Sequence, residues 1–322
     1  MPARRLAHAA IVLALGISAI AAAESYPTKS IRWISPHAAG GGTDLTTRLV
    51  AQRMAEVIGQ PIVVDNRIGA SGNIGSEIAA RAPADGYTLL TMTASHPANH
   101  AVSEHLSYDL LRDFVNITQL TTQPYILLVP PAVNAHSVKE LAALARAAPR
   151  TLHYGTAGVA TLQHFGGIMF GQMTGSEVVH VPYKGGAPAL VDLLGGRLQF
   201  FFGVPVSTIP LIKTARLRAL AVTSPKRSTV LPELPTMAET GLTGYAVDNW
   251  YGIAAPAKTP REVVARLHSV AVRALQIPEL RERLRQDGAD AVGNNTAEFS
   301  AIVRADLERW RKQVRDAGIR AE

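Results

Sequence analysis

The sequence predicts an α/β protein built from two domains. Apolar runs typical of strands alternate along the chain with amphipathic stretches typical of helices. Two glycine-rich loops, one in each half of the chain, follow a predicted strand and precede a predicted helix. A chain of 322 residues is also long enough to bury two separate hydrophobic cores.

The first strand-loop-helix unit covers residues 31–58. Its loop, residues 36–44, reads Pro-His-Ala-Ala-Gly-Gly-Gly-Thr-Asp, and apolar residues then recur at helical spacing up to Gly59. Glycines let the backbone come close to a ligand, and the unpaired N–H groups of a helix start favour an anion. Thr43 or Asp44 is expected to cap this helix.

The loop does not match the common nucleotide-binding patterns. It lacks the Gly-x-x-x-x-Gly-Lys-Ser/Thr sequence of a phosphate loop and does not fit Gly-x-Gly-x-x-Gly. A small carboxylate is therefore a better candidate than ATP or NAD. A purely structural glycine turn explains this segment equally well.

The second unit contains the loop Gly-Thr-Ala-Gly at 155–158 and continues to His164. Hydroxyl groups of Thr156 and Thr161 are candidates to hold an anion together with backbone N–H groups, and a threonine-capped glycine turn is the alternative. In an open α/β sheet, ligands bind beyond the carboxyl ends of the strands, so two such domains facing each other would hold a ligand between them. A third glycine cluster contains Lys184, which is more typical of a solvated lysine beside a turn.

The remaining elements follow from local patterns and their end signals. Further strands are predicted at 62–64, 87–92, 125–129, 152–154, 178–181, 198–202 and 217–222. Further helices are predicted at 73–82, from a capping box at 137–140 to about 148, from 260 onward, at 278–288 and at 296–318.

Composition indicates an exported protein. Residues 1–23 are predicted to be a signal peptide, with two arginines, a short apolar stretch at 7–20 and a small-residue cleavage site at 21–23. Since the chain contains no cysteine, it needs no disulfide in an oxidising compartment. The formal charge of +7 comes from scattered basic residues with acids nearby, which indicates solvated helix faces rather than a nucleic-acid surface.

Signals for catalysis or metal binding are weak. His96, His100 and Glu104 would share one face of a helix, but Pro97 argues against a regular helix there. There is no Gly-x-Ser-x-Gly motif and no cysteine nucleophile. We therefore expect no enzyme activity, no metal and no cofactor.

Segments spread over the whole chain after residue 23 resemble one family, the periplasmic solute receptors of tripartite tricarboxylate transporters, known as Bug receptors. The matching segments are Tyr-Pro-Thr-Lys at 26–29, Ala-Gly-Gly-Gly-Thr-Asp at 39–44, Val-Asp-Asn-Arg at 64–67, Gly-Asn-Ile-Gly at 72–75, Asp-Gly-Tyr-Thr-Leu-Leu at 85–90, His-Val-Pro-Tyr-Lys-Gly at 180–185, Leu-Leu-Gly-Gly at 193–196, Leu-Arg-Ala-Leu-Ala-Val at 217–222 and Leu-Pro-Thr at 234–236. So many matches in order are far more specific than any single glycine loop.

The resemblance implies a type II periplasmic-binding-protein fold, in which two α/β domains joined by two crossover segments close on a ligand. Domain 1 would be residues 24–123 plus 225–322, and domain 2 would be residues 124–224. The implied function is a periplasmic receptor, a monomer, that captures a small carboxylate and passes it to the inner-membrane permease subunits of a tripartite transporter. The alternatives are a ligand-sensing partner of a membrane sensor kinase and, less favoured, an exported carboxylate-handling enzyme.

The resemblance also implies a binding site made largely of backbone amides and ordered waters. The expected ligand-binding residues are His37, Ala38, Ala39, Gly40, Gly41, Gly42, Thr93, Thr156, Gly158, Thr161, Gln163, Gly203 and Trp250. His37 stands where many relatives carry phenylalanine and would add a pH-dependent donor. Gly203 stands where several amino-acid-binding relatives place an aspartate, so the predicted ligand is a carboxylate without an ammonium group.

Overall fold

The computed structural model describes residues 26–103 and 106–317. The predicted signal peptide lies outside these residues. Within the described ranges, no helix combines the length and the apolar character that crossing a bilayer requires.

Strands and helices alternate along most of the described chain. The strands are β1 (Ile31–Ser35), β2 (Ile62–Asn66), β3 (Thr88–Thr93), β4 (Phe114–Pro124), β5 (Ile126–Val129), β6 (His153–Thr156), β7 (Val179–Pro182), β8 (Phe200–Gly203), β9 (Arg218–Val222), β10 (Asp248–Pro256) and β11 (Asp290–Ala291). The helices are α1 (Gly42–Ile58), α2 (Asn73–Ala80), α3 (Ser95–Val102), α4 (Val138–Ala147), α5 (Leu162–Thr174), α6 (Gly186–Leu194), α7 (Pro205–Lys213), α8 (Arg261–Leu275), α9 (Pro278–Gln286) and α10 (Thr296–Ala317).

The strands form two mixed sheets with the same internal plan. The six-stranded sheet has the order β11-β4-β10-β3-β1-β2, and the five-stranded sheet has the order β7-β6-β8-β5-β9. In the six-stranded sheet, β2, β1 and β3 run parallel, and β10 next to them runs antiparallel to its neighbours. In the five-stranded sheet, β7, β6 and β8 run parallel, and β5 next to them runs antiparallel to its neighbours. The chain enters β10 and β5 directly after crossing from the other sheet. We call the six-stranded sheet with its helices lobe 1, and the five-stranded sheet with its helices lobe 2.

Two crossings connect the lobes, and one buried threonine ties them together. The strand β4 passes into β5 through Tyr125, and the chain returns to lobe 1 at Val247. The backbone N–H of Thr223 donates to the Tyr125 carbonyl, and the Thr223 carbonyl accepts from the Val247 N–H. The Thr223 hydroxyl donates to the Val247 carbonyl at 2.6 Å. The two crossings therefore lie side by side, which is the arrangement of a narrow hinge.

The return to lobe 1 occurs later in the chain than residue 225, where the sequence analysis placed it. Thr236 pairs with Val222 of β9, and the hydroxyl of Tyr245 donates to the Gly166 carbonyl of α5 at 2.9 Å. Residues 225–247 thus pack on lobe 2. Their apolar side chains are interspersed with prolines and lack a strand-like period, so the sequence carries no signal of this packing.

Apolar faces of the helices cover both sheets. Val50 and Met54 of α1 share one buried cluster with Leu267 and Val270 of α8 on one face of the six-stranded sheet. The alternation of buried and exposed residues in these helices follows the helical period and was visible in the sequence. The last helix, α10, also reaches across the lobes, because its Trp310 stacks on Phe165 of α5 with ring centroids 4.7 Å apart.

Helix α3 is regular despite Pro97, contrary to the sequence expectation. The helix begins at Ser95, so Pro97 lies in the first turn, where the missing N–H has no intrahelical partner to lose. A proline excludes helix only when at least one complete turn precedes it. The reason given from the sequence for rejecting a helix at this segment was therefore wrong.

Candidate ligand-binding cleft

A small cavity lies between the lobes at the carboxyl ends of their parallel strands. We call it the cleft cavity. It is lined by His37, Gly41, Gly42, Thr43, Thr93, Ser95, Tyr125, Ala157, Gln163, Gly186, Val204, Asn249 and Tyr251. Its volume is about 30 Å³, on the scale of two waters.

Five helices begin at this cavity, three from lobe 2 and two from lobe 1. The helices α1, α3, α5, α6 and α7 each place the N-cap or first turn on its wall. In none of these five helices does the side chain of the N-cap residue cap the N-terminus. Each helix start carries roughly half a positive elementary charge from its aligned peptide dipoles. The cavity is therefore electropositive, although its described lining contains no lysine or arginine.

A buried carboxylate holds the first glycine loop in shape. Asp44 accepts hydrogen bonds from the backbone N–H of Gly40, from Nδ2 of Asn66 and from Nε of Arg48, each at 2.9 Å. Burial alone would raise the pKa of Asp44, but these hydrogen bonds outweigh it and keep the pKa below the ordinary value. The predicted helix cap is thus wrong in detail: the N-cap is Gly41, and Asp44 binds the loop from within the first turn.

His37 is enclosed in the cavity wall and is neutral. Burial lowers the pKa of His37 to about 4. Burial, with a smaller contribution from His37, lowers the pKa of His96 to about 3, against the opposing effect of the Thr93 backbone hydrogen bond. Nε2 of His37 is buried without a partner in the described residues, and Nδ1 lies 3.4 Å from the Thr43 hydroxyl. His37 was expected to be a donor whose protonation changes near neutral pH, and a pKa of about 4 does not agree with that expectation.

The loop of lobe 2 uses its threonines for its own structure. The hydroxyls of Thr156 and Thr161 both donate to the Gly158 carbonyl, at 2.9 and 2.8 Å. Gln163 reaches the cavity, where its Oε1 accepts from the Ala157 N–H at 2.7 Å and its Nε2 donates to the Phe202 carbonyl at 2.6 Å. The hydroxyls point into the loop, so Ala157 and Gln163 form the cavity wall on this side.

The two lobes touch directly around the cavity. Ala38 donates its N–H to the Lys184 carbonyl at 3.3 Å, and Leu162 donates its N–H to the Ser95 hydroxyl at 3.1 Å. Gly42 lies so close to Val204 that an added Cβ would come within 2.7 Å of the valine Cβ. The Lys184 side chain itself is exposed, as the solvated reading of that residue predicted.

Strand β10 presents alternate residues to the cavity. Asn249 and Tyr251 line the cavity, whereas Trp250 points to the opposite face, packs on Phe299 and donates Nε1 to Asp306 at 2.7 Å. Side chains of a strand alternate between faces, so a displacement by one residue exchanges cleft and core. Trp250 was predicted to bind the ligand, but its two neighbours, Asn249 and Tyr251, line the cavity instead.

The structure brings some of the predicted site residues to the cavity and leaves others away from it. His37, Gly41, Gly42, Thr93 and Gln163 line it. Ala38, Ala39, Gly40, Thr156, Gly158, Thr161, Gly203 and Trp250 are absent from its lining. An added Cβ at Gly203 would meet Leu128 and Thr208 at 2.6 Å, which shows that this position faces the packing beneath the sheet and that the next residue, Val204, faces the cleft.

Several lining residues were not among the predicted set. They are Thr43, Ser95, Tyr125, Ala157, Gly186, Val204, Asn249 and Tyr251. The one signal in the sequence was the helix-start context of Thr43, Ser95 and Gly186, which follows from the same anion argument as the first loop. The described residues contain no group of three or more His, Asp or Glu side chains placed to hold a metal.

Comparisons with known proteins agree with this architecture. Residues 46–319 match the family model described as tripartite tricarboxylate transporter family receptor. The chain is 36% identical over 314 residues to the UPF0065 protein in the tcbD-tcbE intergenic region of a Pseudomonas species, covering 97% of this chain and 94% of that protein. It is 33% identical over 305 residues to protein BugT of Bordetella pertussis, covering 94% of each.

Solved structures share the fold over nearly the full chain. An R. palustris protein with adipate has a TM-score of 0.88 at 37% identity, with 92% of this chain and 99% of that chain covered. The periplasmic binding protein BugD has a TM-score of 0.89 at 32% identity, with 92% and 100% covered. MatC from Rhodopseudomonas palustris with bound malate has a TM-score of 0.86 at 28% identity, with 89% and 99% covered.

These matches confirm the two-domain periplasmic-binding-protein fold expected from the resemblance, and the family and its neighbours are solute-binding proteins rather than enzymes. The glycine loops, the helix starts around one interlobe cavity and the full-length similarity lead to one assignment. This chain belongs to the tripartite tricarboxylate transporter receptor family and is a periplasmic-type solute-binding receptor.

Proposed function

We propose that this receptor binds a small carboxylate without an ammonium group and passes it to the permease subunits of a tripartite transporter. One observation carries the ligand class: five helix starts, none capped by the side chain of its own N-cap residue, meet at a cavity whose described lining has no acidic side chain. Helix dipoles stabilise an anion there without any cationic side chain. An ammonium group would find no carboxylate to pair with, and burying an unpaired charge is costly.

The size of the cavity supports a binding cycle that involves lobe movement. The cavity volume of about 30 Å³ is small for an organic ligand, so in this proposal the lobes separate to admit one. The crossings tied by Thr223 form a short hinge about which such a movement is possible. A ligand that contacts both lobes shifts the equilibrium toward the closed arrangement, which is the form that a permease would recognise.

Relatives support the proposed ligand class and location. Two structural neighbours carry adipate and malate, both carboxylates without an ammonium group. BugD is a periplasmic binding protein, in keeping with the predicted signal peptide at residues 1–23 and export of this chain. In this proposal the protein acts as a monomer, with no cofactor and no nucleic-acid partner.

A thermal-shift screen on protein stripped of bound ligand by unfolding and refolding tests the ligand class. The panel holds mono-, di- and tricarboxylates, aromatic carboxylates, aspartate and glutamate. A ligand at one hundred times its Kd adds about 2.7 kcal/mol, which raises Tm by about 4 °C for a chain of this length. Tighter binding of aspartate or glutamate than of every simple carboxylate would refute the proposal.

Deletion of the gene separates transport from sensing. Loss of uptake of the selected carboxylate supports a transport receptor. Normal uptake together with loss of a transcriptional response to that carboxylate supports the sensing alternative instead.

A further inference from the structure

A second and larger cavity lies beside the cleft cavity, between the same two lobes. We call it the mouth groove. Lobe 1 contributes Ile68, Ala70 and Ser71 to its lining, and lobe 2 contributes Val159 and Pro188 among others. Its volume is about 690 Å³, within the range of about 300–1,000 Å³ that is usual for pockets of small organic ligands. The cleft cavity, at about 30 Å³, lies far below that range.

The mouth groove and the cleft cavity are formed by the same segments of the chain. In lobe 1, His37 lines the cavity and the next residue, Ala38, lines the groove. In lobe 2, Ala157 lines the cavity and the next residue, Gly158, lines the groove. The two spaces are therefore adjacent, and what separates them is the contact between these segments.

Small residues make that contact. An added Cβ at Gly158 would lie 2.5 Å from the Ser71 hydroxyl, and an added Cβ at Gly185 would lie 2.7 Å from the Ala38 nitrogen. The Ala38 N–H also donates to the Lys184 carbonyl, at the long distance of 3.3 Å. Each of these contacts joins one lobe to the other. A small separation of the lobes therefore breaks them and connects the cleft cavity with the mouth groove.

The lining of the mouth groove is largely apolar. Ile68, Val159 and Pro188 contribute aliphatic surface, and 43% of the surface of Ile68 is exposed. Tyr183 also lines the groove, and its hydroxyl donates to Asp192 at 2.6 Å, so the aromatic ring is the part left for a ligand. Apolar surface that remains in contact with water gains free energy when a hydrocarbon group covers it.

Magnitudes decide whether charge or apolar surface dominates in this groove. Lys184 is the one charged residue in its described lining, and the side chain is exposed. An exposed ion pair changes affinity by no more than about five-fold, because water and salt screen it. Complete burial of one methylene group changes affinity by about four-fold. A chain of a few carbons therefore outweighs a charged end group.

We propose that the mouth groove is a subsite for the hydrocarbon part of the ligand, so that the preferred ligands are carboxylates with an apolar chain or ring. This inference rests on the proposed carboxylate-binding function and narrows its substrate class. The carboxylate lies at the helix starts of the cleft cavity. The hydrocarbon part passes between the lobes where Ser71 meets Gly158 and lies on Ile68 and Val159.

A series of straight-chain monocarboxylates tests the subsite. The dissociation constants of stripped protein for acetate, butanoate and hexanoate are measured by calorimetry. We expect the affinity to rise by about two- to four-fold for each added methylene group, since the groove covers a chain only in part. Hexanoate should therefore bind at least ten-fold more tightly than acetate.

An exposed residue of the groove assigns the preference for a chain. Ile68→Ser removes apolar surface from the groove, so the Kd for hexanoate should rise at least three-fold while the Kd for acetate stays the same. Val63→Ser is the matched control, because Val63 is an exposed apolar residue of β2 in the same lobe and lies outside the groove lining. It should retain the full preference. Both substitutions are on the surface, so the ligand-free Tm should change little.

Adipate separates recognition of a chain from recognition of a second charge. It carries a carboxylate in place of the terminal methyl group of hexanoate. Lys184→Met should raise the Kd for adipate by no more than about five-fold and leave the Kd for hexanoate unchanged. A rise of more than ten-fold for adipate would mean that the groove selects a second charge, which would overturn the apolar assignment.

The outcomes separate the subsite from the proposed function. If no carboxylate binds, the carboxylate receptor proposal itself fails. If carboxylates bind but hexanoate binds no more tightly than acetate, the subsite is wrong while the receptor stands. A preference for hexanoate that is unchanged in Ile68→Ser would place the chain elsewhere and would equally overturn the assignment to the mouth groove.

Discussion

The two glycine loops look alike in sequence and do different work in the structure. In the loop of lobe 1, residues 36–41, His37 and Gly41 line the cavity together with Gly42, the first residue of α1. The Asp44 carboxylate stabilises this loop by accepting the Gly40 N–H. The loop of lobe 2 turns Thr156 and Thr161 inward onto the Gly158 carbonyl. Gly158 itself serves contact between the lobes, because an added Cβ there would lie 2.5 Å from the Ser71 hydroxyl.

The comparison teaches that glycine in such loops has two separate functions. In lobe 1 the missing side chains expose the start of α1 to the cavity. In lobe 2 the missing side chain lets the lobes approach. An ionic network stabilises the first loop, and neutral hydroxyl bonds stabilise the second. Variants of the two loops test these differences.

Removing the carboxylate from the loop of lobe 1 should have the largest effect. Asp44→Ala leaves the Gly40 N–H, the Asn66 amide and Arg48 without their shared acceptor, and hydrogen bonds to charged groups contribute about 1.5–3 kcal/mol each. We expect the free energy of unfolding to fall by about 3 kcal/mol in chemical denaturation. In the control Asp65→Ala, which breaks half-exposed ion pairs with Arg32 and Arg67, the loss should stay below about 1 kcal/mol.

The same carboxylate predicts a dependence on acid. Because the folded-state pKa of Asp44 is lowered, its stabilising contribution is present above the unfolded-state pKa and is lost as pH falls through the folded-state value. The difference between the unaltered protein and Asp44→Ala should therefore shrink below about pH 4. A constant difference down to pH 2 would contradict this account.

Obstructing lobe contact at the first loop should have the next largest effect. In Gly42→Ala the new methyl group would lie 2.7 Å from the Cβ of Val204, so the lobes cannot close as they do here. Overpacking of this kind costs about 1–3 kcal/mol, which corresponds to a Kd raised about 5- to 150-fold for the carboxylate selected by the screen. Small-angle scattering should also show a larger radius of gyration.

Gly186→Ala provides the matched control on the other lobe. Gly186 lines the same cavity, and an added Cβ there has Phe201 as its nearest neighbour at 3.8 Å, an ordinary contact. Equal losses of affinity in Gly42→Ala and Gly186→Ala would mean that the cavity, rather than contact between the lobes, is the sensitive feature.

The buried histidine of lobe 1 should make stability depend on mild acid. The pKa of His37 is lowered by burial to about 4, so between about pH 6.5 and pH 4 the unfolded chain binds a proton that the folded chain excludes. Stability therefore falls with decreasing pH in that window, by up to about 1.4 kcal/mol per pH unit for this residue. His37→Asn should flatten the profile by that amount in urea titrations at several pH values.

An exposed histidine serves as the control for this profile. His136→Asn replaces an exposed side chain of lobe 2 and controls for the loss of a histidine as such. If His37→Asn has the same slope as the unaltered protein, the buried and neutral state of His37 is refuted. Ligand affinity should also show no step near pH 6.5, because His37 stays neutral there.

Removing a hydroxyl from the loop of lobe 2 should have the smallest effect. Thr161→Val keeps the shape of the side chain but removes the bond to the Gly158 carbonyl, which contributes about 1 kcal/mol. Stability should fall by that amount with no dependence on salt. If the Kd for the selected carboxylate rises more than ten-fold while stability is unchanged, Thr161 contacts the ligand, and the division of labour between the loops is wrong.

Local signals predicted most elements and both loops. Gly59 ends α1 in the left-handed conformation as expected, and Ser137 accepts the Glu140 N–H at the start of α4 as the capping box indicated. The long hinge strands β4 and β10 were missed, because their residues are polar and apolar without a regular period. Their hydrogen-bonding partners lie more than one hundred residues away in the sequence.

The sequence by itself determined the family, the α/β class and the presence of two strand-loop-helix units. It did so because glycine, proline and capping residues act on the backbone next to them, and because helical and strand periods are local. Five of the residues predicted to bind the ligand, His37, Gly41, Gly42, Thr93 and Gln163, lie in the lining of the cleft cavity, and their contact with a ligand stays a prediction.

Only the tertiary structure decided which side chains face that cavity. Trp250 and Tyr251 are adjacent and both aromatic, and the pairing of β10 with β4 and β3 assigns the first to the core and the second to the cleft. Likewise, Gly203 faces the packing beneath the sheet and Val204 faces the cleft. The face that a strand residue occupies depends on register and on packing between distant segments, and neither is encoded in the residue or its neighbours.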